Sequence, residues 1–432
     1  MQLTANLHLW LSNNKLIPYT LKAASVKRGG FFCYIQNNTY LSELIITQCN
    51  MTKNILYLLI LYLLPACSSK QQEQSEPAPQ KEDKTELPVL DLASVIDKQM
   101  PDTFTWNSLA KNIRLVPIST NSRTLMGISR ELIYWGDNFY IAAEFQTQTI
   151  YKIDKDGTIL KAFRHVGNGP GEYVYLSRID YSPQDSLIQV FDNGNKKWIF
   201  YNTDGKLIKE ISFSESEISY PLLFKEDYVI CRGTSEAPNQ LYITDKNLNI
   251  LQRLCPFDTS WTIREKAVTI LQTSRCKNRD ILLFNHATSD SVFSVTDKGL
   301  IPQFILNKGK NTIPADEVKK FLELLQQGSP YILQLNIYSL PGYYLISYAR
   351  NKQGIEEIWS KSDNRLVSRF FNTKEEVGIP FILPSGKKIR IADYSLYTNG
   401  NRIALFIPAE DLVGEIEGVK EDDNPVLLLI ET

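Results

Sequence analysis

Histidine and cysteine are scarce in this chain, and their scarcity excludes several classes of site. Of 432 residues, three are histidine and six are cysteine, and no C-x-x-C spacing occurs. Zinc sites built from histidine clusters or paired cysteines are therefore excluded. A catalytic triad would have to recruit His165 or His286, and neither lies in a nucleophile-elbow motif. A disulfide framework is not expected, although the pairing of Cys231, Cys255 and Cys276 stays open between one disulfide and buried free thiols.

The chain also has almost no net charge and no apolar run long enough to span a membrane. Lysine and arginine number 47 against 48 aspartate and glutamate residues, for a formal charge of −1. Nucleic-acid binding needs a basic stripe or patch, so no nucleic-acid partner is expected. The apolar run Ile55 to Leu64 is shorter than the roughly 20 residues that a bilayer-spanning helix requires.

That short run belongs to a secretion signal. Met51 to Asn54 supplies a positively charged start, and Leu64-Pro65-Ala66-Cys67 places a small residue before a cysteine. This layout is typical of a lipoprotein signal peptide over residues 51–66, whose cleavage leaves Cys67 as an acylated N-terminus. The sequence thus predicts a protein of the outer membrane, lipid-anchored and facing the periplasm or the cell surface. A buried core helix or an uncleaved anchor is the alternative.

Two further segments surround this signal. Residues 1–50 show no clear helix or strand period, and a signal peptide is read from the N-terminus. Translation is therefore expected to begin at Met51, with 1–50 a mis-assigned extension; a genuine N-terminal domain is the rival interpretation. Ser68 to Glu86 has little to bury, so residues 67–104 are expected to form a flexible tether and lead-in.

From about residue 111 onward, short strands alternate with two classes of turn. First-class turns, such as Gly136-Asp137-Asn138, number six, and second-class turns, such as Asp156-Gly157, number five. Aspartate, asparagine and glycine suit hairpin turns because these need positive φ angles or side-chain bonds to the backbone. Two hairpins form a four-stranded antiparallel meander, and the units recur every 45 to 65 residues or so, near the upper end of propeller blade lengths.

The unequal numbers of turns predict how such units close into a ring. The last unit ends in a strand at about 425–431 with nothing left to pair, and a strand at about 112–118 precedes the first unit. Pairing of these two strands leaves no open edge there. The sequence therefore predicts an all-β fold, a six-bladed β-propeller over residues 105–432. A β-sandwich or a pair of sandwiches is the structural alternative.

One segment departs from the strand pattern. Within residues 314–327, apolar side chains fall at i, i+3, i+4 and i+7: Val318, Phe321, Leu322 and Leu325. This spacing predicts an amphipathic helix inserted between the fourth and fifth blades. Such a helix either caps the ring or binds a partner.

Three motifs together carry a family resemblance. Gly167-Asn168-Gly169-Pro170-Gly171-Glu172-Tyr173 precedes Arg178-Ile179-Asp180-Tyr181, and the chain closes on Asp422-Asp423-Asn424-Pro425-Val426-Leu427. With the lipoprotein signal, these residues resemble the six-bladed β-propeller lipoproteins of unknown function in bacterial genomes, which are similar in shape to NHL-repeat propellers. The resemblance covers about residues 105–432. It implies a fold and a location, because the family carries no agreed activity.

The glycine-rich crossover predicts a candidate site at the mouth of the central channel. Its backbone can turn sharply because of Gly167, Gly169, Pro170 and Gly171. The polar residues grouped around it are candidates for ligand binding: His165, Glu172, Tyr173 and Arg178. The alternative is that the glycines and proline only shape the crossover while Glu172 bonds neighbouring amides.

The expected function is non-catalytic: binding of a protein, peptide or glycan, or a scaffold role, by a lipid-anchored propeller. No cofactor is expected, although calcium is compatible with the plentiful aspartate and asparagine, for which the weak candidate ligands are Asp180, Asp192 and Asn193. A plain hairpin turn is the alternative for Asp192-Asn193. The alternative functions are a calcium-dependent hydrolase or lactonase-like enzyme at the channel mouth, and a structural role in a larger envelope complex.

Overall fold

A computed structural model of the chain describes residues 6–7, 19–20, 86–121, 124–127, 129–213, 217–263, 265–267, 281–374, 376–393 and 396–432. The chain divides into two units, one of Met1–Ser25 and Thr39–Leu87 and the other of Val26–Asn38 and Pro88–Thr432. In the first unit, β1 (Asn6–Leu7) pairs antiparallel with β2 (Tyr19–Thr20). The predicted signal peptide and Cys67 lie outside the described residues.

The second unit contains six four-stranded sheets, which we number as blades from the first complete one. Two strands precede blade 1: β3 (Val89–Leu90) and β4 (Asn112–Pro117). Blade 1 contains β5 (Arg130–Trp135), β6 (Phe139–Glu144), β7 (Thr149–Asp154) and β8 (Ile159–Phe163). Blade 2 contains β9 (Arg178–Ser182), β10 (Leu187–Asp192), β11 (Lys197–Asn202) and β12 (Leu207–Ser212). Blade 3 contains β13 (Ile218–Phe224), β14 (Val229–Gly233), β15 (Asn239–Thr244) and β16 (Ile250–Pro256).

The remaining blades follow in chain order. Blade 4 contains β17 (Leu282–Asn285), β18 (Ser291–Thr296) and β19 (Gly299–Leu306), with β3 added. Blade 5 contains β20 (Leu333–Leu340), β21 (Tyr343–Arg350), β22 (Gln353–Ser360) and β23 (Leu366–Phe371). A hairpin of β24 (Ile379–Ile382) and β25 (Lys388–Ile391) precedes blade 6, which contains β26 (Tyr397–Asn399), β27 (Arg402–Ile407), β28 (Val426–Glu431) and β4.

The strand order within the blades produces a propeller. In blades 1, 2, 3 and 5 the strands lie side by side in chain order, as antiparallel meanders. The first strands of neighbouring blades contact each other, as β9 does with β5 and β13, so these strands surround the axis. Hydrophobic clusters fill the interfaces between blades, for example Ile133 of blade 1 with Ile179 of blade 2. The prediction of a six-bladed β-propeller is confirmed.

The ring is closed by the two ends of the propeller chain. Strand β4 pairs antiparallel with β28 along its whole length, with Leu115 opposite Leu428 and Asn112 opposite Glu431. Blade 6 therefore takes three strands from the C-terminus and its outer strand from the N-terminal side. The predicted pairing of 112–118 with 425–431 is confirmed, and it removes an exposed sheet edge.

The folded part of the chain begins before residue 105, the residue at which the sequence predicted the propeller to begin. Residues 88–111, which we name the strap, contain β3, helix α1 (Leu92–Val95) and a 3-10 turn at Trp106–Leu109. Strand β3 runs parallel to β19 as an added outer strand of blade 4. Leu90 and Leu92 are fully buried, so this part of the lead-in packs into the fold. Residues 268–280, which precede β17, lie outside the described residues.

The two faces of the ring carry different connections. Because neighbouring strands are antiparallel, the turns from first to second and from third to fourth strand share one face, which we name the tight-turn face. The other connections lie on the opposite face, which we name the insertion face. The described parts of its long connections are residues 257–263 and 265–267 after β16, 307–332 before β20, 372–374 and 376–393 after β23, and 408–425 after β27.

The predicted inserted helix lies between blades 4 and 5. It consists of a 3-10 turn at Val318–Lys320 followed by α2 (Phe321–Gln327). Val318 and Phe321 are 1% exposed, as their spacing predicts, but Leu322 is 43% exposed. The inclusion of Leu322 in the buried face was wrong, because the 3-10 turn rotates the side chains by a different angle per residue than an α-helix does. No helix among the described residues is long and apolar enough to span a membrane.

Candidate functional site

The glycine-rich crossover connects β8 to β9 on the insertion face and closes on itself. The Tyr173 amide donates to the His165 carbonyl over 2.9 Å, and the Gly167 amide donates to the Tyr173 carbonyl over 3.0 Å. The Glu172 carboxylate accepts the Gly169 amide over 2.8 Å. A Cβ at Gly167 would lie 2.0 Å from that carboxylate, so a larger residue there would displace the Glu172 side chain. Glu172 is thus held within the loop.

Tyr173 and His165 attach the crossover to blades 1 and 2. The Tyr173 side chain is fully buried, and its hydroxyl donates to the Gln148 carbonyl over 2.8 Å. Burial raises the pKa of Tyr173 to about 12, so the phenol stays protonated. The His165 Nε2 lies 2.8 Å from the Gly205 carbonyl, and its ring stacks on Tyr201 at 5.2 Å. Both side chains therefore make contacts that position the loop.

The three weak metal candidates are engaged in other contacts. Asp192 is fully buried, and its two carboxylate oxygens accept the amides of Val174 and Gly194 over 2.8 and 3.0 Å. Lys196 donates its Nζ to the Asn193 side chain over 3.0 Å. Asp180 is 8% exposed on β9. Among the described residues, no three or more histidine, cysteine, aspartate or glutamate side chains are grouped to hold a metal ion.

Arg178 differs from the other candidates in its unused hydrogen-bonding capacity. It begins the inner strand β9, and its Nη2 donates to the Leu222 carbonyl of β13 over 3.3 Å. Its Nε is buried with no hydrogen-bond partner among the described residues. A guanidinium has five donors. Arg178 therefore lies between the first strands of blades 2 and 3 with one of these donors, the buried Nε, unsatisfied within the described part of the chain.

A buried carboxylate network in blade 5 and the connection that follows it was missed by the sequence analysis. Glu356 and Glu357 are 1% and 0% exposed on β22. Glu357 accepts from Arg369 Nε over 2.8 Å and from the Trp359 indole over 2.8 Å. Glu356 accepts from Asn372 over 3.2 Å. The sequence signal is the pair of glutamates inside an apolar strand, because such residues are rarely buried without partners.

The two glutamates of this network differ in the charged groups that act on their pKa. Burial raises the pKa of Glu357, while the Arg369 guanidinium opposes that rise. Burial and the nearby Asp393 carboxylate raise the pKa of Glu356 well above its usual value. Ser347 donates to Asp393 over 3.0 Å at the same place. The Glu356–Asp393 pair therefore favours a protonated Glu356.

Lys308 is a second buried charge, and it contacts the loop between β17 and β18 of blade 4. Lys308 is 2% exposed, and its Nζ donates to the Ser289 carbonyl over 2.7 Å and to the Asn285 side chain over 3.3 Å. Burial lowers the pKa of Lys308 to about 8, against the attraction of Asp290. Nearby, His286 Nδ1 lies 2.8 Å from the Thr288 hydroxyl. These bonds hold the loop between β17 and β18.

A family model covers most of the chain: the domain of unknown function DUF4934 matches residues 87–431. The chain belongs to the DUF4934 family. The match begins at residue 87, beside the first residue of the strap, so the strap belongs to the DUF4934 domain rather than to the segment before it.

Two solved structures are similar to this chain. A Bacteroides fragilis protein described as exported is 16% identical with a TM-score of 0.54, over 77% of this chain and 98% of that one. A member of the DUF4221 family from Bacteroides vulgatus is 10% identical with a TM-score of 0.44, over 74% of this chain and 96% of that one. At these identities the first likeness shows the fold alone. None of the curated proteins matches the chain.

Proposed function

We propose that this DUF4934 protein is an exported, lipid-anchored propeller that binds a protein, peptide or glycan through its insertion face. Binding of this kind needs a varied surface on a rigid support, and no chemistry at the site is invoked. The propeller itself supplies the support, because its blades form a closed ring.

The asymmetry of the two faces carries this proposal. The tight-turn face is built from short turns that bond to themselves: Asp154 Oδ1 accepts the amides of Asp156 and Thr158 over 2.9 and 2.8 Å. Asn202 repeats this arrangement in blade 2, with the amides of Asp204 and Lys206 at 3.1 and 2.9 Å. The long connections fall on the other face, and loops on a rigid scaffold are where binding residues usually lie.

The insertion face also presents apolar side chains to solvent. Ile263, Leu322 and Val413 are 47%, 43% and 48% exposed, each on a different long connection. Together with the half-buried guanidinium of Arg178 at the start of β9, they provide both apolar contact and hydrogen bonding to a ligand. This combination of apolar area and a few polar groups is typical of recognition surfaces.

Export and anchoring are supported by the sequence and by one neighbour. The Bacteroides fragilis neighbour is described as exported. The layout of Met51 to Cys67 is that of a lipoprotein signal. The outer membrane is therefore the location that we propose.

Site-specific photocrosslinking tests the binding face. A photoreactive amino acid placed at Val413 or Leu322 is expected to form adducts with a protein or peptide ligand in cells. The matched controls are Glu226 and Lys246, which are exposed on the tight-turn face. For a glycan ligand, Val413→Arg should abolish binding to an array of envelope glycans, and Lys246→Glu should not. Adducts confined to the tight-turn face would contradict the proposal.

Lipidation is tested separately. Cys67→Ser should abolish labelling by radioactive fatty acid and remove the protein from the outer-membrane fraction. Cys255→Ser, which changes another cysteine, should leave both unchanged. Membrane attachment that persists in Cys67→Ser would refute the anchor.

A further inference from the structure

A buried carboxylate with one unpaired oxygen lies beneath the connection between blades 5 and 6. Glu356, on β22, is 1% exposed. Its Oε1 accepts from the Asn372 side chain over 3.2 Å. Its Oε2 is buried and has no hydrogen-bond partner within the described part of the chain. Because a buried polar atom without a partner is costly, a proton or another group is expected at this oxygen.

Asp393 brings a second carboxylate to the same place. Ser347 lies directly opposite Glu356 in the pairing of β21 with β22, and its hydroxyl donates to Asp393 Oδ2 over 3.0 Å. Directly opposed residues of antiparallel strands have Cβ atoms about 4.5–5.5 Å apart. Asp393 and Glu356 are therefore neighbours on the same side of blade 5. Burial and the charge of Asp393 both raise the pKa of Glu356.

The other charged groups around Glu356 do not neutralise this pair. Arg390 opposes the effect of Asp393 on Glu356, but its Nε lies 3.3 Å from the Glu376 carboxylate. Glu357, the next residue of β22, points to the other side of the sheet and has its own guanidinium partner. Two neighbouring carboxylates in a buried place do not both ionise readily, so one of them holds a proton.

The carboxylate pair lies where one connection leaves blade 5 and returns to the ring. Asn372 follows β23, Asp393 precedes blade 6, and the hairpin of β24 and β25 lies between them. The Asn372 amide donates to the Gly354 carbonyl over 2.9 Å, and its side chain accepts the Gly378 amide over 2.9 Å. Glu356 is therefore beside both ends of this connection, at its base.

The far end of the connection is held separately. The Asn107 side chain of the strap donates to the Ile382 carbonyl over 2.9 Å and accepts the Ile382 amide over 2.7 Å. Within the hairpin, the Leu383 amide donates to the Lys387 carbonyl over 2.9 Å. A change at the base of the connection therefore leaves these contacts with the strap and within the hairpin in place.

We propose that Glu356 and Asp393 share one proton, and that this proton is a pH-sensitive latch closing the base of the connection of residues 372–374 and 376–393. With the proton bound, Glu356 Oε2 donates to the Asp393 carboxylate and holds the end of the connection against blade 5. Loss of the proton leaves two adjacent negative charges, which repel each other and open the base. The latch is closed at low pH and opens as pH rises.

The latch adds regulation to the insertion face, because this connection is one of the long connections on that face. Its effect on a ligand rests on the proposed function. A closed connection presents a fixed surface, and a surface ordered in advance binds more tightly than one that must be ordered on binding. Binding at this part of the face is therefore expected to weaken as pH rises.

Hydrogen exchange of the full chain without ligand tests the latch. In the closed state the pKa of Glu356 is raised, whereas opening exposes the carboxyl and returns its pKa to the usual 4.5. The opening constant at the Asn372 and Gly378 amides, corrected for the intrinsic exchange rate, should rise up to about tenfold per pH unit from about pH 5 toward the raised pKa. The Leu383 amide should show no such rise.

Two variants of the pair and one control sharpen the result. Glu356→Gln keeps a donor toward Asp393 but cannot ionise, so the opening constant should stay at its low-pH value. Asp393→Asn removes the other carboxylate and should also flatten the pH dependence. Glu410→Gln, which changes an exposed glutamate of another long connection, should keep the dependence of the unmodified protein. Equal melting curves show that the variants fold.

Three results would overturn the latch. The first is a pH dependence that is the same in the unmodified protein, Glu356→Gln and Asp393→Asn. The second is an equal dependence at the amides of β6, which would assign the titration to global unfolding. The third is protection at about pH 8 that calcium restores and a chelator removes, which would place a cation rather than a proton between the carboxylates. None of them affects the proposed ligand-binding face, because the exchange is measured without a ligand.

Discussion

Blades 1–3 and blades 4–6 build the same kind of sheet with very different amounts of chain. The connections within and between blades 1–3 are short, apart from the crossover from β8 to β9. Blades 4–6 carry the long insertions and the strap, whereas both halves hold buried charges, such as Glu357 and Arg369 in blade 5 and Asp192 in blade 2. The first half is held by repeated backbone geometry, and the second half is held by contacts between segments distant in sequence.

The largest effect is expected from the strand that joins the two halves. Deletion of residues 111–118 removes β4, the outer strand of blade 6 that also lies next to blade 1 in the chain. The deletion should abolish cooperative thermal unfolding monitored by circular dichroism. Deletion of residues 70–79, which the sequence assigns to the tether, is the control and should leave the melting curve unchanged. A chain lacking 111–118 with an unshifted melting curve would exclude closure by this strand.

The two halves can be compared directly through two ion pairs, of which the one in blade 5 is buried and the one in blade 3 is exposed. Arg369 and Glu357 lie 2.7 Å apart with side chains 1% and 0% exposed. Glu357→Gln should cost about 3–5 kcal/mol, because it leaves a buried guanidinium without its counter-charge. Arg253 and Glu217 lie 2.9 Å apart with side chains 48% and 27% exposed. Glu217→Gln should cost about 1 kcal/mol or less. Urea unfolding measures both, and equal losses would contradict the distinction.

Substitutions at two glycines distinguish the cost of backbone strain from the cost of steric crowding. Gly157 has φ +94°, and a Cβ there would lie 2.0 Å from the Pro117 carbonyl of β4. Gly342 has φ +73° with nothing within 4 Å of the same position. Gly342→Ala should therefore cost about 1 kcal/mol from strain alone, and Gly157→Ala about 2–4 kcal/mol, because the backbone must also move. Melting temperatures give the order, and a reversal would show that the turn does not pack on β4.

The smallest effect is a pH dependence in blades 5 and 6. Burial and the Asp393 carboxylate raise the pKa of Glu356 above its usual 4.5, while Arg390 and Asn372 oppose this. The folded protein then holds a proton that the unfolded chain releases, so stability falls as pH rises above about 4.5 toward the raised pKa. One such group contributes at most about 1.4 kcal/mol per pH unit. Glu356→Gln should flatten this slope in urea unfolding at several pH values, and an unchanged slope would assign the dependence elsewhere.

Blades 1–3 could be predicted from the sequence because the turn residues that specify their hairpins are close together in the chain. Turn residues such as Asp156-Gly157 predict hairpins, and the structure confirms the resulting meanders. The closure by β4 was also predictable, since two strands were left without neighbours in the turn pattern. Val89–Leu90 gave no such signal, because a two-residue strand that pairs in parallel with β19 depends on a partner far along the chain.

The site was harder to predict than the fold. The polar types at the crossover indicated His165 and Tyr173, but sequence spacing does not show that the Tyr173 side chain is fully buried. Leu322 was misplaced because a 3-10 turn precedes its helix. The Glu356–Asp393 pair joins β22 of blade 5 to the connection before blade 6, and only three-dimensional packing brings these residues together.

Closure of the ring is most directly tested by a disulfide across β4 and β28. Asn112 and Glu431 are directly paired near the surface, with their side chains 3.5 Å apart. Directly opposed residues of antiparallel strands are close enough for a disulfide. The variant N112C/E431C should form this bond within one chain under oxidising conditions, raise the melting temperature and lose that gain on reduction. A folded, oxidised variant in which mass spectrometry finds residues 112 and 431 unlinked, or linked only between chains, would contradict the closed propeller.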